Sequence, residues 1–310
     1  SSQDLTYQYN ALNRVTSMVD AAGTTAYTYR PGGQLWTENG PWTDDTVTYG
    51  YHPTVGRLRT GLSLQQPGGS TWTQNYSYDA AERLQTVGSP VGTFTYTYKG
   101  AGNLWTNLAL PNAAAITNSL DNVGRLTGTY LKANTTVVLN NYLYQYDLAG
   151  QRWLVTRFDG SRVTNTYDNL GQLTRALGSG VGQSTEDLGY GYDLAWNLSK
   201  RTNVASVTTF GVNAKNELTT VGSTSYVYDN NGNLTTETGT RVFTYDDENQ
   251  LASVNYAAGS WKHEFKYDGR GRLRRRIDYG WNGSSYYVTG ETRYVYDGMR
   301  VIQERNSSNL

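Results

Sequence analysis

The sequence predicts an all-β protein: one continuous antiparallel β-hairpin repeat ribbon, coiled into a spiral or partial shell. Three observations lead there. A Tyr-Asp-x-x-Gly repeat runs through all 310 residues, aromatic residues alternate at a spacing of two ahead of each repeat, and Gly (34) and Tyr (27) are heavily used while apolar residues reach only 37%. A large aliphatic core is not expected from such a composition.

The clearest copies are Tyr167-Asp168…Gly171, Tyr228-Asp229…Gly232 and Tyr267-Asp268…Gly271, each followed by a polar residue and Leu. Variants begin at Tyr9, Tyr29, Tyr51, Tyr78 (with Asp79), Tyr98, Leu120, Tyr146 (with Asp147 and Gly150), Tyr192, Val212, Tyr245 and Tyr296 (with Asp297). That makes about fourteen units roughly 16 to 29 residues apart, a spacing that signals repeated supersecondary structure. The chain is therefore read as a single array over residues 1–310.

Each copy encodes a hairpin corner. An Asp side chain accepts hydrogen bonds from the backbone just ahead of it, and Gly three residues later takes a positive φ, so the segment folds as a type I turn closed by a bulge. Asn13, Asn216 and Asn249 stand at the Gly position in three copies, and Asn is the next most tolerant residue there. Glu82 and Trp196 do not fit, and the unit at Tyr51 has one residue too many before Gly56, so irregular corners are expected at these three places.

The flanks are strands. Tyr27/Tyr29, Tyr76/Tyr78, Tyr96/Tyr98 and Tyr226/Tyr228 place rings at i and i+2, on one face of an extended chain. A second turn lies midway between corners, as at Gly23, Gly92, Gly160 and Gly239. Strand, turn, strand, corner, repeated, gives roughly 25 strands in a ribbon on the order of 120 Å long, which must coil because successive strands twist. Tyr rings set side by side across strands are expected to hold it.

Composition narrows the function. Lys plus Arg equals Asp plus Glu at 26 each, so long-range attraction to nucleic acid has no basis. No apolar run is long enough to span a membrane and no leader precedes the repeats. The array begins within a few residues of Ser1, so a fragment of a longer protein is expected.

These residues resemble the YD- or RHS-repeat family: bacterial RHS polymorphic toxins, the B and C components of Tc toxins, and the teneurins. The resemblance covers essentially the whole chain. It implies a hollow β-shell that, in the toxins, encloses an effector polypeptide and, in teneurins, belongs to an extracellular adhesion protein. Tyr294 to Glu304 resemble the copy that ends the repeats and leads into an RHS-associated core. The resemblance thus implies a secreted or bacterial cell-surface location, a core and effector outside this chain as partners, and no catalytic residue within it.

Other signals are weak. His52 and His263 are the only histidines and Cys is absent, so no metal or cofactor site is nominated. Arg270, Arg272, Arg274, Arg275 and Arg276 form the one basic cluster, read as a solvated or cross-strand-paired face. The eight Trp leave open a carbohydrate-binding or cell-surface adhesion module as the alternative function. Unpaired ribbon edges near Tyr7 and Val301 are expected to pair with each other, closing a ring, or with a second chain.

Overall fold

The computed structural model describes residues 5–180 and 186–310, and among them are 28 β-strands and no helix. Among the described residues every pairing is antiparallel and joins strands consecutive in sequence, which is what hairpins linked in series produce. Two compact units divide the chain, Ser1–Asn75 with Thr224–Leu310, and Tyr76–Ser223.

Unit 1 contains two ribbons. The first runs through β1 (Thr6–Tyr9), β2 (Val15–Asp20), β3 (Gly23–Tyr29), β4 (Leu35–Asn39), β5 (Val47–Tyr51), β6 (Arg59–Gln65) and the start of β7 (Thr71–Tyr78). Unit 2 follows with β8 (Leu84–Ser89), β9 (Gly92–Tyr98), β10 (Trp105–Ala109), β11 (Ala115–Leu120), β12 (Leu126–Ala133), β13 (Val137–Tyr146), β14 (Arg152–Arg157), β15 (Arg162–Tyr167), β16 (Leu173–Ser179), β17 (Asp187–Tyr192), β18 (Leu198–Asn203), β19 (Ser206–Val212) and β20 (Leu218–Val221). The second ribbon of unit 1 comprises β21 (Thr224–Tyr228), β22 (Leu234–Glu237), β23 (Arg241–Tyr245), β24 (Leu251–Tyr256), β25 (Trp261–Tyr267), β26 (Leu273–Trp281), β27 (Tyr286–Asp297) and β28 (Arg300–Arg305).

Register slips by one residue at the corners, between Thr28 and Tyr29, Thr166 and Tyr167, Thr244 and Tyr245, and Lys266 and Tyr267. Each slip is a β-bulge beside the corner Tyr, and a bulge sharpens the local right-handed twist. Of the two outcomes expected for the ribbon edges, ring closure or pairing with a second chain, the first is not formed among the described residues: β1 pairs with β2, β28 with β27, and the two do not pair with each other. Both keep an outer edge where backbone groups remain open to another strand.

The two units differ in how much they bury. Unit 1 holds Met18, Tyr27, Val47, Tyr49, Leu62, Leu64, Val254, Tyr294, Val295 and Tyr296 as its buried hydrophobic residues, whereas unit 2 holds Ala115 and Leu154 among the described residues. In unit 2 the large apolar side chains at the corner tips, Val123, Leu148, Leu170, Leu194 and Trp196, are exposed, while those of the strands are mostly half-buried.

Two of the three corners expected to be irregular are regular. Glu82 (φ 59°) and Trp196 (φ 69°) adopt the left-handed conformation, and their N–H groups donate to Asp79 O and Asp193 O at 2.9 and 3.1 Å. The remaining corner bonds over-determine the loop, so a poorly suited residue is carried through at a local penalty. Trp196→Gly is therefore expected to stabilise unit 2 by about 0.5–1 kcal/mol, measured by urea denaturation, because glycine meets no Cβ clash at that φ. The Tyr51 corner does open into a longer loop, where the Val55 N–H donates to His52 Nδ1 at 3.1 Å.

Candidate functional site

At a regular corner the Asp Oδ1 accepts two backbone N–H groups at once. Asp79 takes those of Ala81 and Arg83, Asp168 those of Leu170 and Gln172, Asp229 those of Asn231 and Asn233, and Asp268 those of Arg270 and Arg272, all between 2.9 and 3.0 Å. Asp147 accepts from Gln151 at 2.8 Å. Gly150, Gly171, Gly232 and Gly271 supply positive φ, between 74° and 85°.

The corner tyrosines do something the sequence did not announce. In seven of them the hydroxyl donates to the carbonyl of the residue that opens the strand after the preceding corner: Tyr29 to Val15, Tyr51 to Leu35, Tyr98 to Leu84, Tyr146 to Leu126, Tyr167 to Arg152, Tyr192 to Leu173 and Tyr296 to Leu273, at 2.6–2.9 Å. Every such bond clips one corner to the one before it. At several corners an Arg follows the positive-φ residue and its guanidinium lies over the next corner's ring, among them Arg83 over Tyr98 at 4.5 Å, Arg125 over Tyr146 at 4.7 Å and Arg272 over Tyr296 at 5.0 Å. Side-by-side Tyr stacking is thus not the main tie. The ring pairs that form are few and mostly involve Trp, such as Tyr96–Trp105 and Tyr256–Trp261.

Corner geometry sets the titration of its carboxylates. Hydrogen bonds from the Arg83 side chain hold Asp79 below the usual carboxylate range, and Arg125 and Asn197 do the same for Asp121 and Asp193. A depressed folded pKa contributes stability that is present above the unfolded value and lost as pH falls through the folded one. The melting temperature of unit 2 is expected to fall progressively below about pH 4, and an acid-independent melt would contradict the role of these side chains.

Unit 1 contains the densest concentration of charge, and it joins chain-distant segments. Arg272, about 1% exposed, places Nε 2.7 Å from Asp268 Oδ2, Nη2 2.6 Å from Glu38 Oε1, and donates from Nη1 to Gly298 O at 2.9 Å. Arg274, also buried, lies over Trp42 at 4.9 Å with Glu38, Asp268 and Asp45 within 4.0 Å. Burial alone would draw the Arg272 pKa down, yet Glu38 and Asp268 raise it, whereas for Arg274 burial and the Arg272 charge lower it. Burial likewise pushes the Tyr27 hydroxyl up to about 12.

Further contacts extend this seam. Arg59 Nη1 binds both Asp297 oxygens, at 2.8 and 3.1 Å, and Arg305 donates to the carbonyls of Thr43, Asp44 and Gln65. The Arg cluster is therefore divided: Arg272 and Arg274 are enclosed between ribbons, not solvated, while Arg276 pairs with Asp278 at 3.0 Å near the surface. Asp297 stands apart from the other Tyr-Asp pairs, because Gly298 (φ 59°) and Met299 make a two-residue turn and its carboxylate serves Arg59. Glu38, Asp45, Arg59 and Arg305 were not singled out from the sequence. Their one signal is charge in a charge-poor chain, in strands for Glu38, Arg59 and Arg305 and in the β4–β5 loop for Asp45.

Among the described residues no group of three His, Cys, Asp or Glu side chains could hold a metal ion. His263 Nδ1 lies 2.6 Å from Asp278 Oδ1 on the paired strand, and its ring lies against Trp261 two residues before it on its own strand. No helix of the described residues is long and apolar enough to cross a membrane.

Tyr-Asp corners joining antiparallel strands, many of them clipped to the corner before, define a YD-repeat wall. The family model Teneurin YD-shell matches residues 111–288, and the chain belongs to that family. It is 28% identical over 176 residues to Teneurin-3 of Danio rerio, covering 56% of this chain and 6% of that protein, and 27% identical over 157 residues to Teneurin-4 of Homo sapiens, covering 51% and 5%. Among solved structures it is similar to TcdB2-TccC3 without its hypervariable C-terminal region (TM-score 0.55, 16% identity, 98% of this chain and 20% of that one). The Photorhabdus luminescens Tc holotoxin pore gives a TM-score of 0.54 at 16% identity, over 98% of this chain and 20% of the other. At that identity the structural likeness concerns the fold alone. The chain spans about one twentieth of the curated relatives' length and a fifth of the solved chains.

Proposed function

We propose that this chain is a non-catalytic stretch of shell wall, part of a larger secreted or cell-surface protein, that encloses or presents a polypeptide effector. In this reading the Tyr-Asp-Gly corners are the repeat-defining structural residues, the array acts as one repeat domain, and a core and effector elsewhere in the parent polypeptide are its partners. A bacterial toxin is the parent that fits best, since the solved chains it resembles along 98% of its length are Tc toxin components. The observation that carries the reading is the make-up of unit 2: thirteen strands from β8 to β20 with two buried hydrophobic residues among those described. A sheet that buries so little against itself needs contents or neighbours on a face, since stable architectures pack layers against one another.

Limited proteolysis of the full-length parent tests this. The polypeptide beyond the repeats is expected to survive trypsin while the wall is folded and to be digested once urea unfolds it; digestion in the native parent at the rate of an exposed peptide contradicts enclosure. A carbohydrate-binding reading has one observation in its favour, the Trp281–Tyr286 edge contact at 4.9 Å with Trp281 and neighbouring Tyr287 exposed. A glycan array without hits removes it.

A further inference from the structure

Three Asn-Gly steps occur in the chain, at Asn39-Gly40, Asn231-Gly232 and Asn282-Gly283. In such a step the backbone nitrogen of the glycine can attack Cγ of the preceding side chain, and the missing Cβ leaves that approach unhindered. The fold treats the three steps differently. At Asn39 the Gly40 N–H donates to the buried Asp45 carboxylate, and the Thr46 hydroxyl donates to Asn39 Oδ1 at 2.8 Å. At Asn231 the Gly232 N–H donates to Asp229 O at 3.2 Å, while the Asn231 side-chain amide donates to Asn249 Oδ1 at 3.0 Å. In both places the attacking nitrogen is already committed to a hydrogen bond.

Asn282-Gly283 lies in the exposed loop that joins β26 to β27, between Trp281 and Tyr286. Gly283 has a φ of 96°, nothing stands within 4 Å of the place a Cβ would take, and among the described residues its N–H has no hydrogen-bond partner. The carbonyl end of the Asn282 side chain is held instead. Its Oδ1 accepts the N–H groups of Ser284 and Ser285 at 2.9 Å and the Ser284 hydroxyl at 3.0 Å, and its Nδ2 donates to Ser285 Oγ at 3.3 Å. Oδ1 is the atom on which negative charge develops when Cγ is attacked, and donors already fixed around such an atom stabilise that charge. A free nucleophile and a polarised carbonyl thus meet in one loop.

We propose that Asn282 is a spontaneous modification site, at which the chain deamidates itself through a cyclic imide. The Gly283 nitrogen forms a bond to Asn282 Cγ, the Cγ–Nδ2 bond breaks, and Nδ2 departs as ammonia with the proton that Gly283 gives up. Water then opens the ring at either carbonyl. Addition at Cγ yields aspartate, and addition at the Asn282 backbone carbonyl yields isoaspartate, with the chain rerouted through Cβ; nothing is oxidised or reduced. Both products place a carboxylate on a stretch that carries no charged side chain from Gly280 to Gly290 and that exposes Trp281, Tyr287 and Val288. The site is independent of whether the wall encloses an effector.

The test ages the native full chain in mildly alkaline buffer and follows amide-to-acid conversion at each Asn-Gly step by peptide mapping and mass spectrometry, with aspartate and isoaspartate resolved by chromatography. Conversion at Asn282 is expected to run about tenfold faster than at Asn39 or Asn231, the factor set by one hydrogen bond on the attacking nitrogen. In urea, where those bonds are gone, the three rates are expected to converge. Ser284→Ala, at an exposed position, removes one donor from Oδ1 and is expected to slow Asn282 about threefold. An Asn282 amide that persists, native rates at Asn39 or Asn231 that match it, a gap that remains in urea, or a Ser284→Ala rate equal to or above that of the wild type overturns the assignment.

Discussion

Arg272→Met is expected to destabilise unit 1 by about 3–5 kcal/mol, because it removes the guanidinium that hydrogen-bonds the buried carboxylates of both Glu38 and Asp268 and leaves Arg274, at 3.8 Å from each, as their remaining buried cation. The loss also removes the bond to Gly298 O and the guanidinium lying over Tyr296. Urea denaturation should show a lower midpoint for unit 1 with the slope unchanged. Arg272→Lys keeps charge but cannot fork onto two partners, so it should fall between wild type and Met. Adding Glu38→Leu and Asp268→Asn to Arg272→Met should recover part of the loss, since the uncompensated charges are then gone. A loss below about 1 kcal/mol, the size of an exposed pair, would mean the seam is solvated.

Leu64→Ala is expected to cost about 2–5 kcal/mol, as it empties a fully buried position in β6 beside Val47. Leu154→Ala in unit 2 should cost less, because a unit that buries few hydrophobic residues leaves little enclosed volume to become a cavity and solvent relaxes into the gap. Urea unfolding of the two variants separates these cases. Equal losses would show that unit 2 carries a core of its own and would weaken the reading of it as a wall.

Much of this was legible in the sequence, and for a physical reason. A corner is a local object: Asp168, Gly171 and the intervening backbone satisfy each other within five residues, so the pattern in the chain is the structure. Strand faces were readable for the same cause, as in β7, where Trp72, Gln74, Tyr76 and Tyr78 alternate with more exposed neighbours. Even the failures are local in origin. The intrinsic preferences of Glu82 and Trp196 disfavour a positive φ, while the remaining corner bonds decide their conformation.

The ionic seam was not legible because its partners lie far apart in the chain. Arg272 and Glu38 are separated by 234 positions, and nothing in either strand states that the two will meet. Alternation of Arg272, Arg274 and Arg276 placed them on one face but could not say whether that face meets water or a second ribbon. The Tyr hydroxyl clips fell between these extremes. Spacing identified the rings, yet a bond from Tyr192 to the Leu173 carbonyl depends on the bulge that turns each corner toward the last.

Hydrogen exchange of the native chain tests most directly whether the corners are successive rungs clipped one to the next. Protection is expected to recur at the corner amides, those of Leu170, Gln172, Asn231 and Asn233 among them, and Tyr192→Phe should lower it at the Tyr167 and Tyr192 corners while leaving Tyr98 unchanged. Exchange at the rate of an unstructured peptide across any run of several corners, or a Tyr192→Phe variant with undiminished protection at both of its corners, would contradict it.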